Sequence, residues 1–174
     1  MKNLTKLMLG CMLVLAVSAC KKNNDGGGGG SAAEGTVKAK VNGSSWSSLS
    51  MSTAAQYVSM AKSLTILGPD ASGKTINIII NNYDGSTGTW DITSAGTSAI
   101  GVTASYMEVN LGGSSKTYAA PYSGSGVIGK VQISEFSKTG NVKGTFNFKA
   151  RNQSDTNDFK DITEGSFNVK VKSL

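Results

Sequence analysis

The chain has 174 residues, with seventeen lysines and arginines against eleven aspartates and glutamates, a formal net charge of +6, two cysteines and no histidine. The missing histidine removes Ser-His, Cys-His and His-metal chemistry from consideration. A positive balance this modest does not by itself point to nucleic acid as a partner.

Residues 1–19 read as a lipoprotein signal peptide. Lys2 and Lys6 make a basic start, Leu7 to Val17 an apolar stretch too short to span a bilayer, and Val17-Ser18-Ala19-Cys20 a small-residue cleavage site ending in cysteine. This last run resembles the bacterial lipobox. The resemblance implies that signal peptidase II cuts before a cysteine already carrying diacylglycerol, and that the freed amino group is acylated, with palmitate as the expected chain. Cys20 is therefore the expected lipid attachment site and mature N-terminus, and the membrane the first expected partner. Each buried methylene contributes roughly 0.8 kcal/mol, so one chain anchors marginally and two or three hold almost permanently. Cys11 leaves with the peptide, so the mature chain holds no cysteine pair and must be stabilised by a packed core. Losing Lys2 and Lys6 lowers the charge from +6 to +4.

Residues 20–34 read as the lipidated cysteine and a flexible Gly-rich tether, with Lys21-Lys22-Asn23-Asn24-Asp25 running into Gly26 to Gly30. As a coil the tether spans about 20 Å. Together these features predict a cell-envelope protein, lipid-anchored to the outer membrane, with the periplasmic leaflet and the cell surface both open.

Residues 35–174 read as a single β domain, long enough to bury about 68–70% of its unfolded surface without disulfide staples. The chain alternates with period two, rich in Val, Ile, Thr and aromatics, and Gly, Asn, Ser and Asp punctuate it roughly every eight to twelve residues. Val37, Ala39 and Val41 alternate with Lys38 and Lys40, and Asn42-Gly43 then supplies a type I′ hairpin turn. A two-residue turn puts Ala39 opposite Trp46 and makes Trp46 a core residue. Ser52 to Lys62 gives no firm signal, and reads as either a short strand or irregular structure. Further strands are expected over Leu64 to Leu67, Thr75 to Asn81, Thr89 to Thr93, Ala104 to Leu111, Lys116 to Ala119, Val127 to Ser134, Val142 to Ala150 and Gly165 to Lys172. About ten short antiparallel strands predict an all-β fold, either a β-sandwich or a meandering β-barrel.

Gly68-Pro69-Asp70-Ala71-Ser72-Gly73-Lys74-Thr75 satisfies the phosphate-binding P-loop pattern. That loop must open a helix whose first amides hold the phosphates. Here the β-branched, alternating Thr75 to Asn81 follows, so the pattern predicts a hairpin turn and no nucleotide partner. Catalysis has few parts available, and no catalytic, cofactor-binding or metal-ligating residue is predicted. Asp155, Asp158 and Asp161 lack the alternating oxygen ligands and glycine of a calcium loop and read as a solvated loop.

In the last three strands Val131, Ile133, Phe146, Phe148, Phe167, Val169 and Val171 face one way, and Lys130, Lys143, Lys149, Lys170 and Lys172 the other, giving one buried and one wet face. From Lys130 onward eight basic residues stand against five acids. Lys143, Lys149, Lys170 and Lys172 are the weak ligand-binding candidates on that face, with solubility and edge protection as the plainer role.

Val41-Asn42-Gly43 with Trp46, Leu64-Thr65-Ile66-Leu67-Gly68, Gly88-Thr89-Trp90-Asp91-Ile92, Gly144-Thr145-Phe146-Asn147-Phe148-Lys149-Ala150 and Thr163-Glu164-Gly165-Ser166-Phe167 resemble a Bacteroidota family of small lipoproteins with an all-β domain of unknown function. The resemblance runs from about Val37 to Lys172. It implies an all-β fold and supplies no catalytic or binding residue.

The expected function is that of a lipid-anchored, non-enzymatic binding or structural module of the cell envelope. Its expected partners are a glycan, an anionic envelope polymer or an envelope protein, and not nucleic acid. A second expectation is a carrier holding a small apolar ligand inside a barrel, which requires a lumen left unfilled by Ile78, Ile80, Trp90, Phe146 and Phe148. A third is a carboxylate-dependent glycan hydrolase, which requires two acids facing each other in a cleft.

Overall fold

The computed structural model describes residues 31–95, 99–110 and 112–174. The signal peptide, Cys20 and tether residues 21–30 lie outside the described residues. Period-two alternation resolves into eleven strands: β1 (Thr36–Val41), β2 (Ser44–Ser47), β3 (Ala54–Val58), β4 (Ser63–Pro69), β5 (Thr75–Asn81), β6 (Gly88–Thr93), β7 (Gly101–Glu108), β8 (Lys116–Ala120), β9 (Val127–Phe136), β10 (Asn141–Asn152) and β11 (Phe159–Ser173). A single 3₁₀ turn over Ser50–Ser52 is the only helical element among the described residues.

Hydrogen-bonded neighbours run β2-β1-β11-β3-β4-β5-β7-β8-β10-β9-β6, and a further β10–β11 pairing closes the strands from β11 round to β10 into a ring. The length of the last two strands makes this possible. One edge of β10 serves β9 from Val142 to Phe148 and then β8 at Arg151 and Asn152. One edge of β11 serves β1 from Ile162 to Asn168 and then β3 from Val171 to Ser173. The result is an antiparallel layer β2-β1-β11-β10-β9-β6 joined at two corners to a meander β3-β4-β5-β7-β8, which protects strand edges that would otherwise be open.

One pairing departs from the antiparallel expectation. The tail of β11 outruns β1 and meets β3 in parallel over three residues, a corner contact that no local pattern announces. Strand β3 itself falls within the stretch that gave no firm signal; its buried positions are only Ala55 and Tyr57. Strand β7 ends at Glu108 rather than Leu111, because Asn110 bonds the Ser114 carbonyl and the Gly113 amide bonds the Asn110 carbonyl, turning the chain. Strand β11 begins six residues before Gly165: an extra residue at Thr163-Glu164, with Glu164 at φ 50°, breaks the alternation there.

The hairpin chemistry holds elsewhere. Asn42 (φ 47°) and Gly43 (φ 80°) form the β1–β2 turn, Ala39 pairs with Trp46, and Trp46 is buried. The P-loop pattern is the β4–β5 hairpin, with Pro69 paired to Thr75. The Asp70 Oδ1 accepts hydrogen bonds from the Ser72 amide and hydroxyl and from the Lys74 amide, so its carboxylate organises the turn.

The interior is filled by interlocking rings. Phe146 stacks with Phe148 at 6.1 Å and with Phe167 at 6.2 Å between centroids. At the other side Tyr57, Phe136, Tyr83 and Trp90 meet edge to face at 5.1–6.2 Å. Ile78 and Ile80 are fully buried in the same core, and Trp90 packs against it.

Candidate ligand-binding surface

The richest polar arrangement sits where β8, the end of β10 and the start of β11 meet. Arg151 pairs with Phe159 across the β10–β11 ladder and with Ala119 of β8 on its other side. The connecting loop from Gln153 to Asn157 is fixed by backbone bonds, from the Gln153 amide to the Thr117 carbonyl and from the Asn152 amide to the Asp158 carbonyl.

Beneath it, Asp158 Oδ2 accepts from the Tyr118 hydroxyl at 2.8 Å, Asn152 Nδ2 at 3.0 Å and Lys116 Nζ at 3.3 Å. These bonds, Asn152 first and then Tyr118, hold the Asp158 carboxyl down to about 2. Burial, helped by the same carboxylate, pushes the Tyr118 hydroxyl far up, so it stays a donor. Lys160 pairs with Glu108 at 2.9 Å and lies over the Tyr118 ring at 5.1 Å. The acids of this corner are therefore engaged: Asp158 by three donors, Glu108 by Lys160, and Asp155 by the Asn157 amide.

Above this base the cations stack on rings. The Arg151 guanidinium carbon lies 4.5 Å from the centre of the Tyr122 ring, Tyr122 meets Phe159 at 5.9 Å, and Lys149 Nζ lies 5.1 Å over Phe159. Among the described residues, neither Arg151 nor Lys149 has a carboxylate within ion-pairing distance, although Asp161 is directly opposite Lys149 in the ladder. Tyr122, Ser123, Arg151, Gln153 and Thr156 line a groove of about 340 Å³, floored by Ala119, Pro121 and Asn152. A smaller depression of about 210 Å³ on the outer face of β5, β7 and β8 meets it at Ala119 and Pro121. A third depression, about 450 Å³ and open, lies over β1 and β2, where Lys40 bonds Glu164 at 2.7 Å.

The four lysines singled out from sequence all point away from the core but do not converge. Lys143 is bonded to Glu135 at 2.8 Å. Lys170 pairs with Asn141, diagonally adjacent to Lys143. Lys172 sits opposite Gln56 at the β3 corner. Lys149 is six residues along β10 from Lys143, about 20 Å away at the rise of a strand. Only Lys149 reaches the groove region. The residues sequence reasoning missed there are Arg151, Tyr122 and Phe159; the signal available was that Arg151 is the sole arginine of the chain. Cys20 lies outside the described residues. Asp155, Asp158 and Asp161 form no cation cage: among the described residues no cluster of three metal-binding side chains occurs.

A family model described as a domain of unknown function, DUF6252, matches residues 33–170. The chain belongs to this family. The match spans every strand except the last residues of β11. No curated protein and no solved structure matches the chain. Among the described residues no helix is long and apolar enough to cross a membrane.

Proposed function

We propose that this protein is a lipid-anchored binding module of the bacterial cell envelope, one of the small lipoproteins of Bacteroidota, held on the outer membrane through Cys20 and acting without catalysis. The observation that carries the binding role is the cation-and-ring array of Lys149, Phe159, Tyr122 and Arg151 beside a polar groove, its cations unpaired by any described carboxylate while Asp158 and Glu108 are engaged by other donors. Tyrosine and arginine are among the side chains that most often carry binding energy at an interface.

Two other readings fit less well. A carrier needs an unfilled lumen, whereas Ile78, Ile80, Phe146 and Phe148 are buried in one contiguous core with Trp90 packed against it. A hydrolase needs two facing acids. Two of the three depressions described have no acid in their lining, and the third has Glu164, which is bonded to Lys40.

The test is retention of the full-length protein, purified in detergent, by peptidoglycan, lipopolysaccharide and capsular polysaccharide at low and high salt. A second protein has Lys143, Lys149, Lys170 and Lys172 changed to glutamine. Retention by at least one polymer is expected, weakened by salt because exposed charges are screened beyond about 8 Å at physiological ionic strength. Retention by none of them overturns the binding role. Equal retention of the four-glutamine protein removes those lysines from it.

A further inference from the structure

We propose that the Tyr122–Arg151 groove recognises a carboxylate-bearing sugar of an acidic glycan, an inference that rests on the binding-module reading above and assigns its ligand class. Three features of the groove point to this chemistry.

The first is the state of the guanidinium. Arg151 is half-buried and stacked on Tyr122 at 4.5 Å, which removes much of the rotamer freedom an arginine otherwise loses on binding. A planar fork held in this way matches the two oxygens of a carboxylate, and with no described carboxylate already on it the fork is available. Lys149, over Phe159, adds a second positive charge along the same strand face.

The second is the lining. Ser123, Gln153 and Thr156 bring hydroxyl and amide groups to the groove, the donors and acceptors that pair with sugar hydroxyls. Asn152 is excluded from ligand contact by its own bonds, its amide nitrogen donating to Asp158 and its oxygen accepting from the Ser154 amide. It is a positioning residue for the loop that carries Gln153 and Thr156.

The third is size and shape. At about 340 Å³ the groove lies near the small end of the range for ligand sites. An open groove beside a ring accommodates one unit of a longer chain, with the neighbouring units continuing over the adjoining depression at Ala119 and Pro121. Tyr122, which carries Arg151 on its ring, is the apolar wall of the groove against which a sugar's C–H groups can rest.

The experiment is isothermal titration of the full-length protein in detergent with tetragalacturonate, hyaluronan tetrasaccharide and oligosialic acid. Methyl-esterified tetragalacturonate and cellotetraose serve as neutral counterparts, and glycerol 3-phosphate as a phospholipid headgroup without sugar. Binding to at least one carboxylated oligosaccharide is expected, with none to its neutral counterpart. Arg151→Gln should weaken it roughly tenfold to a hundredfold, the worth of a charged hydrogen-bond pair. Arg151→Lys should not restore it, because an ammonium lacks the fork. Tyr122→Ala should weaken it and Tyr122→Phe should not, which keeps the inference testable if the arginine variants fail to fold.

Binding to none of the carboxylated probes overturns the inference, as does equal binding of carboxylated and neutral sugars. Glycerol 3-phosphate binding that is lost in Arg151→Gln also overturns it, in favour of a membrane headgroup. A glycan bound equally by the Arg151→Gln and Tyr122→Ala proteins overturns the groove while leaving the binding-module reading intact; that reading fails only if the envelope polymers also retain nothing.

Discussion

Gly165 lies directly opposite Phe146 across the β10–β11 ladder, and a methyl carbon in place of its hydrogen would come within 2.5 Å of the Phe146 carbonyl oxygen and 2.6 Å of its ring. Gly144, one strand over, would likewise strike the Gln132 carbonyl and the Phe167 ring. Neither glycine has a positive φ among the described residues. Their role is to let a neighbouring ring and carbonyl approach the backbone closely.

Gly165→Ala is therefore expected to destabilise the domain by about 1–3 kcal/mol, the usual cost of overpacking a full core. Gly101→Ala, where a Cβ meets nothing within 4 Å and φ is not positive, serves as the control and should be near neutral. Urea unfolding of the two variants checks this. A Gly165→Ala protein as stable as the control would show that the β10 and β11 backbones can move apart at this point.

The Asp158 carboxylate makes stability depend on acid. Its pKa is held at about 2 against the ordinary 3.8, by hydrogen bonds from Asn152 first and then Tyr118 and Lys116. A carboxylate whose folded pKa is depressed adds stability above its unfolded pKa and loses it as pH falls through the folded value. The contribution is thus whole above about pH 4 and gone below about pH 2. Asp158→Asn should be less stable than the parent at neutral pH and lose less stability between those two values. Thermal melts as a function of pH decide it; parallel acid limbs in the two proteins would exclude this network as the source.

The β4–β5 turn separates a residue that builds it from one that merely lies in it. Asp70→Ala removes the acceptor for three donors and should cost about 0.5–2 kcal/mol, by analogy with loss of a helix cap. Lys74→Ala should change stability by no more than about 0.5 kcal/mol. Saturable ATP binding by the parent, lost in Lys74→Ala, would refute the hairpin as the whole account of this segment.

Anchoring through Cys20 predicts that Cys20→Ser yields an uncleaved, unlipidated precursor, since signal peptidase II acts on the lipid-modified cysteine. Intact-mass spectrometry of the membrane fraction should show acyl mass on a chain beginning at Cys20 in the parent. A mature terminus elsewhere, without that mass, would remove the anchor and with it the location.

Local chemistry was the legible part of the chain. Asn42-Gly43 fixed both a turn and the Ala39–Trp46 pairing, because a two-residue hairpin leaves no choice of register. Alternation in Thr75 to Asn81 gave β5 its observed bounds. Strand β3 was hidden because Ala-Ala-Gln-Tyr-Val buries only one large side chain, so its membership comes from neighbours on both sides rather than from its own pattern. The start of β11 was hidden by the bulge at Glu164, which shifts the apolar period by one. The groove was least legible of all. Tyr122 and Arg151 are far apart in sequence, and it is the corner pairing of Asn152 with Tyr118 that brings their segments together.

The long strand β10 has one more consequence. At its first residue, Asn141 donates a hydrogen bond to Glu34, and the adjoining Gly35 amide bonds the Asn168 carbonyl. The point where the tether enters the domain is thus clamped to one end of β10, while Arg151 stands ten residues along it, about 33 Å away at the rise of a strand. This rod sets how far the groove stands from the point at which the chain enters the domain. If the chain is anchored through Cys20 as proposed, shortening Gly26 to Gly30 is expected to reduce the reach of the groove and leave its affinity unchanged.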